Sequence, residues 1–402
     1  MSRNMIQLNK NIFDRIKSLV TEFGGHTEFQ EKICINTSLE EKDWIQHATF
    51  KNDGGYNEMT KVSCQNGLSF GEIYYKDSRY IVINDDFDYE LDKASFQFQE
   101  PNSGIFTILL SQEFINANED SLSELYELHL FSDGTNALRK LSFDDIDSCF
   151  SGFCLIKVDS EVFISANLNT IVCHLLNEKA KQDCKKKKLY DEHLYLPLND
   201  LILNGHETIP FDIIVHGIGN FDHPKTLYLD LYRSLERLYV SSYMSNLKKV
   251  LDIQISHEDL SEKIENVTGW RPKEEPALIE LLSLLDEYKI DESFRLLSQT
   301  SIEIDKTEVE YEERHLKSIR LNLDSINDLK RRYSEEINLD KMKEKLLERK
   351  IKIIGSRVYK VRNSLVHYRS IFDGYLKNDD DIFILNGLLC SIVKNVYSVV
   401  ER

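Results

Sequence analysis

The stretch IGSRVYKVRNSLVHYRS, residues 354–370, decides how the C-terminal part of this chain is interpreted. Apolar residues recur every three or four positions, at 354, 358, 361, 365 and 368. At about 100° per residue these positions share one face of an α-helix. On the same wheel Arg362 lies roughly 80° from the apolar face, and Asn363 and His367 lie roughly 180° and 140° away. The pattern predicts a helix that displays Arg362, Asn363 and His367 outside its apolar stripe.

Helical periodicity extends over the whole C-terminal part, from residue 225 to residue 402. Leucine-rich stripes recur at 227–238, 278–285, 316–326 and 385–396. Such stripes are typical of an all-α bundle of four or five helices. We therefore expect an all-α domain over 225–402, with a boundary in the Gly- and Pro-containing stretch 217–224.

Residues 1–224 show a mixed α+β pattern. Helical spacing occurs at 12–23, and Ser38 opens a capping box with Glu41. The segments GEIYYKDSRYIVIN (71–84) and GFCLIKVDSEVFIS (152–165) each predict a β-hairpin with a polar tip. Further strands are predicted at 105–110, 125–131 and 211–215, and a helix at 168–176. The fold class expected for the chain is an α+β half followed by a helical bundle.

Composition narrows the class of protein. The chain has 402 residues, a net charge of −18 and 41% hydrophobic residues, which excludes a collagen-like or fully disordered protein. Its apolar runs are shorter than the roughly 20 residues that a membrane span needs, and its first residues do not resemble a secretory signal. The seven scattered cysteines favour a reducing cytoplasm over a disulfide framework. Their spacing matches no zinc site, so neither metal nor cofactor is expected.

The charge is distributed unevenly along the chain. Residues 341–369 contain ten Lys and Arg against two Glu, whereas 1–224 carry most of the net negative charge. Such a basic segment can bind a polyanion, which makes Arg357, Lys360 and Arg369 candidate RNA contacts. The Lys-rich run at 179–188 is a second candidate phosphate-binding patch, although a solvated loop is the favoured interpretation.

Arg, Asn and His side chains on a basic helix suit the cleavage of RNA. A 2′-hydroxyl attacks its own phosphate when a base removes its proton and an acid protonates the departing 5′-oxygen. Histidine, with a pKa near ~6.5, performs both steps at neutral pH. Arginine holds the phosphate and offsets the charge of the transition state. The residue types therefore suggest His367 as the acid–base group, Arg362 as the phosphate ligand and Asn363 as a positioning group.

The sequence Arg362-Asn363-Ser364-Leu365-Val366-His367 resembles the R-N-x-x-x-H signature of HEPN-domain ribonucleases. The resemblance covers about 225–402 and is nearest to the C-terminal HEPN domains of bacterial abortive-infection and anti-phage proteins. It implies a metal-independent endoribonuclease, with Arg362 and His367 catalytic and Asn363 as the polar residue after the arginine. It also implies a homodimer in which two protomers share one cleft. Residues 1–224, which resemble no family, would then sense a trigger or bind a regulatory partner.

Two alternatives remain open at the level of sequence. The bundle could bind RNA or a partner without catalysis, or it could serve only as an adaptor that dimerises. Glu236, on the first bundle helix, could support the site or could be a surface acid. The homodimer itself also has a geometric basis, because Arg362 and His367 lie about 140° apart on one helix and a second subunit can complete the site.

Overall fold

The structure is a computed structural model of the chain. It describes residues 34–35, 38–50, 58–64, 67–84, 91–115, 140–141, 150, 152–240, 243, 250, 257–268, 273–302, 309–310, 313–314, 339–366 and 378–400. The chain divides into two compact units, Met1–Glu178 and Lys179–Arg402. The helix predicted at 12–23, the strand predicted at 125–131 and the stripe at 316–326 lie outside the described residues.

The first unit contains a five-stranded antiparallel sheet with the strand order β2-β3-β4-β7-β5. A separate pair of short parallel strands is formed by β1 and β6. The strands are β1 Cys34–Ile35, β2 Lys61–Ser63, β3 Ser69–Tyr75, β4 Ser78–Ile83, β5 Phe96–Gln99, β6 Lys140–Leu141 and β7 Cys154–Val158. The predicted hairpin at 71–84 is confirmed as β3 and β4. Its turn residues Lys76 and Asp77 both have positive φ, as a two-residue hairpin of this type requires.

Two helices of the first unit, α1 Leu39–His47 and α2 Ser103–Ser111, contribute to the core of that unit. Helix α1 begins with the predicted capping box between Ser38 and Glu41. Its Trp44 ring stacks on Tyr75 of β3 with centroids 3.8 Å apart. The prediction of a strand at 105–110 is wrong, because this apolar run is the interior of α2. Asn102 caps that helix, and burial on all sides leaves no periodicity to read.

The predicted second hairpin, at 152–165, is also wrong. Strand β7 pairs with β4 and β5 and not with the residues that follow it. After β7 the chain forms the short helix α3 Glu161–Ile164. The side chain of Arg79 on β4 holds this segment, because its guanidinium donates to the carbonyl oxygens of Phe163 and Ala166 at 2.6 Å. A long-range contact therefore overrides the local hairpin pattern.

The second unit is helical throughout its described part. Helix α4 Leu168–Asp183 confirms the helix predicted at 168–176, and the division between the units falls within it. The following helices are α5 Lys187–Leu189, α6 Leu196–Asn204, α7 Phe211–Gly219, α8 Pro224–Glu236, α9 His257–Thr268, α10 Glu274–Ser283, α11 Glu287–Leu297, α12 Leu339–Val366 and α13 Asp381–Val400. A π-helical segment, Tyr190–Tyr195, joins α5 to α6.

Helix α13 forms the centre of this unit and packs against α6, α8, α10 and α11. Within the described residues it is the one helix long and apolar enough to cross a membrane by length and composition, but most of it is buried inside the unit. A core helix of this kind needs apolar residues on every side. Helix α12, which carries the stretch 354–366, packs against α8, α10 and α11.

The region predicted to join the two domains has a different structure from the expected one. Residues 211–215, predicted as a strand, begin helix α7, and the expected Gly217–Gly219 turn is the end of that helix. Gly217 allows α8 to approach, since a Cβ on it would lie 2.5 Å from the Cα of Leu227. The predicted boundary at 224 therefore lies within a packed pair of helices, whereas the compact units divide between Glu178 and Lys179.

Candidate active site on helix α12

The candidate site lies where three helices of the second unit meet. Helix α12 supplies Arg362 and Asn363, the last turn of α8 supplies Glu236, and the first residue of α10 is Glu274. Val358 and Val361 of α12 are fully buried, and Tyr228 of α8 donates from its hydroxyl to the carbonyl oxygen of Val358 at 2.8 Å. This packing fixes the rotation of α12 and thereby the direction of Arg362.

The guanidinium of Arg362 is engaged on several sides. Its Nη2 donates to Oε1 of Glu236 at 3.2 Å, and its Nη1 donates to Oδ1 of Asn363 at 3.0 Å. Nη1 also lies 3.5 Å from Oε2 of Glu274. The group lies over the ring of Tyr232, 5.6 Å from its centroid. Two carboxylates, an amide and an aromatic ring therefore share one guanidinium.

Negative charge exceeds positive charge in this cluster. Burial raises the pKa of Glu236, the charge of Arg362 lowers it, and the charge of Glu274 raises it again, with a net upward shift. Burial also raises the pKa of Tyr232 and of its neighbour Tyr239, so both phenols are neutral. The carboxylate side chains are 30% and 38% exposed, whereas that of Arg362 is 18% exposed. An anion arriving from solvent therefore meets carboxylates before it meets the arginine.

Asn363 is buried, whereas the sequence predicted that it would be exposed. The helical wheel places it opposite the apolar stripe, but the residue is 8% exposed. The reason is that α12 contacts α8, α10 and α11, so more than one face of the helix is covered. The accepted hydrogen bond from Arg362 satisfies the buried amide oxygen. Asn363 thus orients the guanidinium from inside the bundle.

Two of the other predicted site residues, Arg357 and Lys360, lie on α12 but are not gathered around Arg362. Arg357 and Lys360 are half-buried on α12. At about 100° per residue they lie roughly 140° and 160° from Arg362, on another side of the helix. His367 and Arg369 lie outside the described residues, so the structure brings together only Arg362 and Asn363 of the predicted set. It adds Glu236, Glu274 and Tyr232.

Sequence reasoning left the role of Glu236 open and missed Glu274 and Tyr232. Tyr232 precedes Glu236 by four residues on α8, which places both on one face of that helix, and this spacing is the signal that could have identified it. Nothing in the local sequence links Glu274 to Arg362, because only the packing of α10 on α12 brings them together.

Within the described ranges, no group of three or more His, Cys, Asp or Glu side chains is arranged to hold a metal ion. No protein-family model, curated protein sequence or solved structure matches this chain. The chain is therefore described by its fold and its site and not by membership of a family. It is a mostly helical protein with a small antiparallel sheet in its first unit and a partly buried arginine–carboxylate cluster in its second.

Proposed function

We propose that this protein is a metal-independent endoribonuclease of the HEPN type, acting through Arg362 and His367. The observation that carries the proposal is the placement of Arg362. Its guanidinium is oriented by Asn363, backed by Tyr232 and partly open to solvent, at the end of a basic helix. A preoriented arginine can bind a phosphate and stabilise the charge that develops as the 2′-oxygen attacks.

The chemistry needs a proton acceptor and a proton donor beside that arginine. His367 follows Arg362 by five positions and is the residue proposed to remove the 2′-hydroxyl proton. A second His367, from the partner of a two-fold dimer, would protonate the departing 5′-oxygen. This arrangement supplies both proton transfers without a metal ion. It also explains why one helix, with Arg362 and His367 about 140° apart, forms only part of the site.

In the proposed enzyme, the carboxylates around Arg362 would hold the protein in an inactive state. Glu236 and Glu274 occupy the guanidinium edges that a phosphate would need. RNA binding therefore requires at least one carboxylate to move away, and the more exposed Glu274, at the first residue of α10, is the proposed one. A nuclease held in this way fits a cytoplasmic effector of anti-phage defence whose first half responds to a trigger.

A direct test compares RNA cleavage by the parent, Arg362→Ala and His367→Ala. Loss of an acid–base or phosphate-binding group should lower the rate by about 100-fold or more. Lys345→Ala is a matched control, because it removes one exposed positive charge from the same helix about 25 Å from Arg362. If both site variants cleave as fast as the parent, the catalytic assignment is wrong.

The second candidate function is a non-catalytic module that binds RNA or a protein partner. The specific observation in its favour is the same pair of carboxylates, because they satisfy Arg362 as a structural ion pair would. In that case Arg362→Ala would destabilise the unit, and RNA incubated with the parent would show binding without new ends. A module that only dimerises would show no salt-sensitive RNA affinity.

A further inference from the structure

A cavity of about 490 Å³ lies within the second unit, away from Arg362. It is bounded by the residues that follow α4, by the start of α8 and by the start of α13. Lys225, on its wall, and Glu236, at the candidate active site, lie at opposite ends of α8, roughly 16 Å apart along the helix axis. The volume falls within the range of about 300–1,000 Å³ that is typical of small-molecule sites.

The lining of this cavity contains three lysines. These are Lys185, Lys186 and Lys225, in a chain whose net charge is −18. Lys225 pairs with Asp379 at 2.7 Å and Lys186 pairs with Asp380, but each lysine side chain is about half exposed. Among the described residues, Lys185 forms no ion pair. Exposed pairs of this kind contribute little free energy, so a doubly charged phosphate can replace the aspartates as the partner of these lysines.

The lining of the cavity also contains apolar residues. Phe221 and Pro224 are half-buried, whereas Ile382 and Phe383 of α13 are buried and expose little surface. Burial raises the pKa of the Cys184 thiol, so this group is also uncharged. The surface suits a flat aromatic ring. Asp222, His223 and Asp379 are the remaining polar residues of the lining, and the two carboxylates can accept hydrogen bonds from hydroxyl groups of a sugar.

We propose that this cavity binds a nucleoside phosphate, with the phosphate on Lys185, Lys186 and Lys225 and the base against Phe221 and Pro224. Lysines alone would not select such a ligand, and neither would an apolar pocket. A nucleoside phosphate is selected by lysines, apolar residues and carboxylates that lie together in one cavity of suitable volume. The lysine run at 179–188, interpreted from sequence as a solvated loop, thereby contributes two of its members to a site. The ligand is either a free nucleotide or one nucleotide of an RNA strand.

The test is calorimetric titration of the Arg362→Ala protein in EDTA, so that RNA is not cleaved during the measurement. The probes are adenosine 5′-monophosphate, adenosine, inorganic phosphate and a single-stranded RNA tetranucleotide. We expect the monophosphate to bind at least tenfold more tightly than adenosine or phosphate alone. The double substitution Lys186→Gln/Lys225→Gln should weaken that binding tenfold or more. A tetranucleotide that binds more tightly than the monophosphate identifies RNA as the source, and the reverse order identifies a free nucleotide.

The matched control is Lys187→Gln/Lys188→Gln, which removes two charges from the same lysine run outside the cavity lining. It should keep the affinity within twofold of that of the Arg362→Ala protein. Lys185→Glu provides a second, single substitution at an exposed position, should the double variant fold poorly. The proposal is overturned if neither the monophosphate nor the tetranucleotide saturates the protein at millimolar concentration. It is also overturned if the control pair weakens binding as much as the cavity pair.

Discussion

Oε2 of Glu274 lies 3.5 Å from Nη1 of Arg362, so α10 adds a second carboxylate to a guanidinium that Glu236 of α8 already contacts. This relationship joins residues 88 positions apart in sequence by way of helix packing. As a result Arg362, the residue proposed to bind a phosphate, has two carboxylates beside it. Under the proposed function, Glu274 must move away from Arg362 before RNA can bind there.

Neutralising Glu274 should make Arg362 more accessible to a phosphate. We expect Glu274→Gln to increase RNA affinity and the cleavage rate by about fivefold, which corresponds to ~1 kcal/mol for the loss of one nearby charge in a partly solvated site. Fluorescence anisotropy and a gel-based cleavage assay measure the two effects. Glu275→Gln, on the same turn but outside the cluster, should change neither. Equal effects of both substitutions would show that general charge, and not the contact with Arg362, is responsible.

The raised pKa of Glu236 predicts a pH-dependent change in stability. Its folded-state pKa lies above the unfolded value, so the carboxyl group stabilises the fold when protonated and this contribution is lost as pH rises through the folded pKa. Glu236→Gln mimics the protonated form. We expect it to raise the melting temperature at pH 8 by on the order of 2 °C. The difference from the parent should shrink towards zero near pH 4.

Thermal unfolding followed at several pH values in that range measures the difference. A decrease at pH 8 as large as that caused by Arg362→Ala would show that the ionised Glu236–Arg362 pair stabilises the unit. In that case attraction, and not burial, would dominate at Glu236.

A shared active site predicts complementation between inactive protomers. A mixture of Arg362→Ala and His367→Ala proteins should regain a small part of the parent activity, because each heterodimer brings one Arg362 and one His367 into a shared cleft but lacks the second His367. Each variant mixed with itself is the control. A mixture that stays inactive after subunit exchange, or a monomer by light scattering with full activity, would contradict a shared cleft.

The buried contacts of Arg79 lead to a prediction about the stability of the first unit. It forms a buried ion pair with Glu72 at 2.5 Å and donates to three backbone carbonyl oxygens near α3. We expect Arg79→Met to lower the free energy of unfolding by about 3–5 kcal/mol, because Glu72 is left buried without a positive charge beside it and, among the described residues, keeps only the hydrogen bond from Tyr74. Lys157→Gln, which breaks the half-exposed pair with Asp159, should cost less than about 1 kcal/mol. Urea denaturation measures both, and equal losses would contradict the role assigned to burial.

Local sequence signals predicted the elements that local forces determine. The capping box at Ser38, the hairpin at 71–84 and the bundle helices carry their pattern within a few residues. The failures at 105–110 and 211–215 have different causes. The run 105–110 is buried on every side and has no polar face from which to identify the period. The run 211–215 is too short to show its period, because the polar face of α7 is formed by Asp212 and by His216, which follows the run.

The candidate site was predictable only in part for a related reason. Arg362 and Asn363 belong to one motif on one helix, so sequence places them together. Glu274 comes from another helix, and the burial of Asn363 depends on three neighbours of α12. A helical wheel represents a single helix, so it shows neither a contact from another helix nor burial by neighbouring helices. The burial of Asn363 also changes its interpretation, from an exposed group that positions a phosphate oxygen or His367 to a buried one that positions Arg362.

The chemistry of newly formed RNA ends tests the central claim most directly. RNA incubated in EDTA with the parent protein or with Glu274→Gln should acquire 2′,3′-cyclic phosphate and 5′-hydroxyl ends, and Arg362→Ala and His367→Ala should leave it intact. These ends are the products expected when the 2′-oxygen attacks and the 5′-oxygen departs. The account is contradicted if neither the parent nor Glu274→Gln produces new ends in EDTA, or if the ends formed are 5′-phosphates.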